Sequence, residues 1–93
     1  MKSGRVVYQN GKYVDEQDAR VSIFDSALMF GDMCFEMTRS FNKKQFLIKE
    51  HIDRLYIGLK ILQIPIKQTK EELEEICYET LRRNEEFFLP TDE

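Results

Sequence analysis

Met33-Cys34-Phe35-Glu36-Met37-Thr38-Arg39-Ser40-Phe41 is the stretch on which the reading of this chain turns. Its odd positions, Met33, Phe35, Met37, Arg39 and Phe41, fall on one side, and Cys34, Glu36, Thr38 and Ser40 fall on the other. That period of two predicts a strand. Asn42-Lys43-Lys44 then reads as a turn, and Gln45-Phe46-Leu47-Ile48 as the partner strand. Upstream, Val6 to Gln9 reads as another strand. It runs into Asn10-Gly11, a strong hairpin signal because both residues tolerate positive φ. Lys12-Tyr13-Val14 is the return strand, and Asp15 to Asp18 an acidic loop. Val21-Ser22-Ile23-Phe24 reads as a short extended segment. Asp25-Ser26 opens a turn or two of helix that Gly31 closes from the left-handed region.

Downstream the periodicity changes. Ile52, Leu55, Tyr56, Leu59 and Leu62 form an apolar stripe on a helix from Glu50 to about Leu62. Pro65 disfavours helical geometry at Ile64 and ends it. Thr69-Lys70-Glu71-Glu72 has the spacing of a capping box. The helix it starts runs to about Arg83 and buries Leu73, Ile76, Cys77, Thr80 and Leu81. Its acids crowd the first turn and Arg82-Arg83 close the last, as the helix dipole favours. Phe87-Phe88-Leu89 is an apolar run near the end of the chain. Either it folds back onto the core or it awaits further sequence to pack on.

At 93 residues there is room for one domain, with little margin for an enclosed active site. A hydrophobic fraction of 42% against 33% charged excludes a disordered chain. The net charge of −3 speaks against a nucleic-acid partner, which a basic patch would announce. No apolar run reaches the length of a membrane span, and Met1 to Arg5 has no signal-peptide character. Cys34 and Cys77 read as buried thiols of a reducing compartment rather than a disulfide, so the cytoplasm is the expected location. One His and two separated Cys make no zinc site.

Few residues carry chemistry by pattern. Arg39 lies in line with Phe35 and Met37, so either an acid pairs with it or the face lines a cleft for an anion; pattern alone favours an exposed structural arginine. Arg54 lies off the helix stripe, with His51 at i−3 and Gly58 at i+4. The hollow at Gly58 would suit a phosphate held by the guanidinium fork. The competing reading is a solvated Arg54 paired with Glu50 or Asp53. His51 in a first turn is more readily a structural residue than a general base, and no triad surrounds it. Glu36 reads as structurally paired. None of the eight lysines reads as desolvated, and no GxGxxG or GxxxxGK[ST] loop exists.

Taken in order, Asn10-Gly11-Lys12, Asp25-Ser26-Ala27-Leu28, Phe30-Gly31-Asp32, Phe35-Glu36-x-x-Arg39 and His51-Ile52-Asp53-Arg54-Leu55 resemble the N-terminal small domain of class IV, or fold type IV, pyridoxal-phosphate enzymes. That family holds branched-chain and D-amino-acid aminotransferases and aminodeoxychorismate lyases. The resemblance runs from about Val7 to about Asn84. It implies that Arg54 binds the phosphate of pyridoxal 5'-phosphate and that Phe35 and Arg39 line the substrate pocket. It further implies that Phe30 reaches toward the partner's active site in a homodimer. It also implies that the Schiff-base lysine lies in a second, larger domain outside this chain. Met37 stands where branched-chain enzymes commonly have glycine, which implies a narrower pocket.

The expectation is therefore an α+β fold: a small antiparallel sheet of hairpins packed with two main helices. Residues 1–93 are expected to be a single, incomplete domain without the catalytic one. The function expected is that of an N-terminal fragment of an amino-acid aminotransferase acting on amino acids and 2-oxo acids. It would supply Arg54, Phe30, Phe35 and Arg39, hold no catalytic residue and be inactive alone. The alternative is a stand-alone binding or dimerisation module derived from that domain. An independent hydrolase built on His51 lacks a nucleophile and an oxyanion site.

Overall fold

The computed structural model of the chain describes residues 4–41 and 44–87, the side chain of Phe41 excepted. Strand β1 (Val6–Gln9) pairs antiparallel with β2 (Lys12–Asp15), Val7 opposite Val14 and Tyr8 opposite Tyr13. The turn between them places Asn10 at φ 51° and Gly11 at φ 84°, as the Asn-Gly pair requires. A 3-10 turn at Glu16–Asp18 follows, capped by the Asp15 carboxylate accepting from the Gln17 N–H. Helix α1 (Ser26–Phe30) starts from Asp25, whose side chain accepts from the Ala27 N–H, and ends at Gly31 in the left-handed region. A second hairpin pairs β3 (Ser40–Phe41) with β4 (Lys44–Gln45). Two long helices complete the fold, α2 (Ile48–Ile61) and α3 (Lys70–Asn84), and a 3-10 turn, Glu85–Phe87, closes it.

The α+β class is as expected, with the two hairpins forming separate two-stranded sheets. The long strand from Met33 is not formed. Only Ser40 and Phe41 enter a ladder, because residues 31–39 have no strand beside them among the described residues. The alternation persists without the ladder: Cys34 and Glu36 are half-buried, while Met33, Phe35 and Met37 are 53%, 74% and 78% exposed. The return strand is also shorter than expected. Leu47 turns into the left-handed region at φ 52°, and α2 begins at Ile48, two residues before Glu50. Val21 to Phe24 is not extended throughout. The Asp25 N–H donates to the Ser22 carbonyl, closing a turn at Ile23-Phe24.

Helix α2 stops at Ile61, ahead of the position that Pro65 constrains. Gln63 takes φ 58°, its N–H donates to the Lys60 carbonyl, and that of Ile64 donates to Leu59, the paired bonds of a Schellman ending. Helix α3 begins with the capping box foreseen at Thr69 and Glu72, at 3.0 and 2.9 Å. Asn84, at its other end, reaches β1. Its Oδ1 accepts from the Val6 N–H and its Nδ2 donates to the Val6 carbonyl, both at 2.8 Å. Tyr78 of α3 accepts from the Gln45 N–H, tying the second hairpin to the same helix.

The core is small. Ile48 and Ile52 of α2 are the buried hydrophobic residues among those described. The remaining stripe residues of both helices are half-buried, except Leu62, which is exposed. Cys34 and Cys77 are free thiols and half-buried rather than fully buried. The accessible surface is 7677 Å², against roughly 5,700 Å² for a compact monomer of this mass. The radius of gyration, 14.4 Å, exceeds the ~12 Å of a compact chain this long. Phe87 packs on Gly4, where a Cβ would lie 2.5 Å from the ring. Phe88 and Leu89 lie outside the described residues, as do Asn42 and Lys43 of the expected turn.

Candidate functional site

The segment 31–39 lies along α2, and what lets it come close is Gly58. A Cβ there would stand 3.3 Å from the Cβ of Cys34 and 3.4 Å from its sulfur. The hollow foreseen beside Arg54 is thus occupied by Cys34. Two residues further on, the same alternation turns Glu36 toward α2. There His51 and Arg54, three residues apart on one helix face, both meet it. The second hairpin fixes the far end of the segment. The Phe46 N–H donates to the Arg39 carbonyl at 2.7 Å, and the Thr38 hydroxyl to the Phe46 carbonyl at 2.9 Å.

Glu36 takes Arg54 in a two-point grip. Nε donates to Oε2 and Nη2 to Oε1, each at 2.7 Å, and His51 Nδ1 lies 2.8 Å from Oε1. Charge-assisted bonds of this kind hold the carboxyl well below its ordinary range, at about 2, with Arg54 the larger cause and His51 the next. The same pair raises Arg54. An ionised Glu36 only accepts, so Nδ1 of His51 carries the proton in their hydrogen bond. The partners differ in exposure: the Glu36 side chain is 18% accessible and that of Arg54 68%. The grip uses the Nε–Nη2 edge of the guanidinium, so the end-on Nη1–Nη2 edge remains.

Neither Glu50 nor Asp53 is the partner of Arg54; Asp53 instead pairs with Lys70 at 3.1 Å. Arg39 lines an open cleft of about 360 Å³ with Met37, Thr38, Phe46 and His51. Arg39 and His51 are thereby brought together, and His51 links that cleft to the Glu36–Arg54 pair. Phe35 stands on the opposite side of its segment from Glu36, exposed, and Phe30 at the end of α1 is 73% exposed. Lys12, Lys44, Lys49, Lys60, Lys67 and Lys70 are all exposed. The pairing of Glu36 was foreseen, but not its partners. The signal was available: an inward position on an alternating segment, and two basic residues at i and i+3 on one helix face.

This order of elements, with an FExxR segment laid against an HxxRL helix, matches the family model of amino-transferase class IV over residues 33–90. The chain belongs to that family. Three relatives show the range of activities it is similar to. A Methanocaldococcus jannaschii protein assigned as a branched-chain-amino-acid aminotransferase is 53% identical over 78 residues, covering 84% of this chain and 27% of the relative. A D-alanine aminotransferase of Staphylococcus epidermidis is 36% identical over 78 residues, covering 84% and 28%. An aminodeoxychorismate lyase of Bacillus subtilis is 38% identical over 80 residues, covering 86% and 27%. The chain thus spans about a quarter of the length of these relatives. No helix among the described residues is long and apolar enough to cross a membrane.

Proposed function

We propose that this chain is the N-terminal segment of a pyridoxal-phosphate-dependent amino-acid aminotransferase, working as a cytoplasmic homodimer and inactive as an isolated segment. The observation that carries the reading is the set of large apolar side chains left exposed among the described residues. Phe24, Phe30, Met33, Phe35 and Met37 are among them, each more than half exposed. The accessible surface of all kinds, polar included, is about 2,000 Å² larger than that of a compact monomer, the size of a substantial protein interface. The reading covers the apolar side chains with the remainder of a longer polypeptide and with a second subunit, and patches of this kind mark such contacts.

Arg54 fits one edge of a phosphate group. Its exposed end-on fork offers the paired donors that a phosphate accepts, on a helix residue braced from behind. The exposed lysines among the described residues do not fit the aldehyde carbon, which needs a desolvated amine. When bound, the cofactor supplies the electron sink for chemistry at the substrate α-carbon. This chain's part is to hold the phosphate through Arg54 and to wall the pocket with Phe30, Phe35 and Arg39. The cleft joining Arg39, Met37 and His51 offers a positive charge to a substrate carboxylate. Met37 lines the same cleft.

The alternative, a non-catalytic binding or dimerisation module, draws on one observation: Arg54 has a carboxylate partner within the chain and needs no ligand to satisfy it. Intact-mass measurement of the endogenous protein separates the two. A mass several times 11.1 kDa supports the aminotransferase reading. A mass of 11.1 kDa with a stable, non-aggregating product hands the lead to the module. Transamination by the purified 93-residue chain would overturn the statement that it is inactive alone.

A further inference from the structure

We infer that Glu36 is a positioning residue for phosphate recognition, fixing the guanidinium of Arg54 from its Nε–Nη2 edge so that the Nη1–Nη2 edge is presented to the ligand. This rests on the proposed role of Arg54. An arginine on a helix surface ordinarily samples many rotamers, and a ligand must freeze them on binding. Here the freezing is done beforehand. Both bonds to Glu36 are 2.7 Å, and the acid itself is the less accessible partner, 18% against 68%. His51 holds Oε1 from the side at 2.8 Å, so the carboxylate cannot swing away with Arg54. The segment bearing Glu36 is seated on α2 by the Cys34–Gly58 contact and pinned beyond by the Phe46–Arg39 backbone bond.

The sign of the effect separates positioning from plain charge. Glu36 cancels the charge of Arg54, so replacing it by glutamine leaves the site more positive. If attraction alone mattered, Glu36→Gln would tighten phosphate binding. If orientation matters, it weakens it, because the amide keeps one acceptor and turns the other into a donor facing a guanidinium that has only donors, so the two-point grip is lost. A third possibility, a lock that merely fastens the segment to α2, would disturb all binding alike.

The test uses the apo form of the full-length protein that carries this segment. It is titrated separately with pyridoxal 5'-phosphate and with pyridoxal, which lacks the phosphate. The readout is the dissociation constant for pyridoxal divided by that for pyridoxal 5'-phosphate, followed by absorbance, with a thermal melt of each variant. Arg54→Ala should collapse the ratio. Glu36→Gln should lower it by about tenfold, the scale on which metal-ligating side chains lose function without their supporting partner, and leave pyridoxal binding unchanged. Glu36→Asp, which keeps the charge, should recover part of the loss. If Arg54→Ala collapses the ratio but Glu36→Gln leaves or raises it, the positioning inference fails and the role of Arg54 stands. If Glu36→Gln weakens both ligands equally, the residue is a lock and the inference also fails. An unchanged ratio in Arg54→Ala removes the phosphate reading itself. Should Glu36→Gln fail to fold, Glu36→Asp decides by the same comparison with wild type, an unchanged or raised ratio overturning the inference.

Discussion

Replacing Asn84 by alanine cuts a side-chain clamp that joins the last turn of α3 to the first strand. Three hydrogen bonds go at once: Val6 N–H to Oδ1, Nδ2 to the Val6 carbonyl and Nδ2 to the Thr80 carbonyl, all 2.8 Å. The Thr80 carbonyl keeps its helical surroundings, so two bonds count fully. At about 1 kcal/mol each, with part of the desolvation cost of a half-buried Val6 peptide added, the loss is about 2–3 kcal/mol. A domain of this size with a thin core has about 5 kcal/mol to lose, so the variant stands near the edge of folding. Urea unfolding followed by circular dichroism should show the midpoint falling by about 1–3 M, from a slope of about 1–2 kcal/mol/M. Asn84→Asp keeps the acceptor but sets an anionic oxygen against the Val6 and Thr80 carbonyls at the C-terminal end of α3, and should fall at least as far. Hydrogen exchange of the Val6 amide should accelerate in Asn84→Ala more than that of Tyr56 in α2. A loss under about 0.5 kcal/mol, or an unchanged Val6 amide, would refute the reasoning.

Acid should act through Glu36. Its folded-state value of about 2 lies below the ordinary 4.5, so the Arg54 and His51 bonds contribute stability above pH 4.5 and lose it as pH falls toward 2. The gap in melting temperature between wild type and Glu36→Gln should therefore close across that window, as a pH series of thermal melts would show; a gap that is constant from pH 6 to about 2 would contradict the pairing. Gly58→Ala has opposing terms. Helix propensity favours alanine by about 1 kcal/mol, and crowding of Cys34 at 3.3 Å costs about 1–3 kcal/mol. The single variant should be destabilised, and Cys34→Gly in the same background should recover stability relative to Cys34→Gly alone; stabilisation by Gly58→Ala on its own would mean that the two segments do not touch.

Local chemistry was legible wherever a single segment decides its own conformation. Asn10-Gly11 set the first hairpin, Asp25 and Gly31 bracketed α1, and Thr69 with Glu72 started α3, because each signal satisfies its own backbone groups within a few residues. The two faces of 33–37 were legible too, since alternation is a property of extended backbone whether or not a neighbour pairs with it; it ends at Thr38, which is exposed. The ladder was not, because a strand is defined by an edge that another segment must supply. The start of α2 was missed for a related reason: Leu47 takes a left-handed turn that nothing in its side chain announces.

For the candidate site the division is similar. By itself the sequence determined which residues could matter, His51 and Arg54 sharing a helix face and Glu36 facing away from Phe35. Tertiary structure decided that these three are one unit, that Cys34 fills the space at Gly58, and that Arg39 shares a cleft with His51. Periodicity reports the direction of a side chain relative to its own backbone. Which carboxylate meets which guanidinium depends on how closely two segments 18 residues apart can approach, and that distance is set by the missing side chain of Gly58.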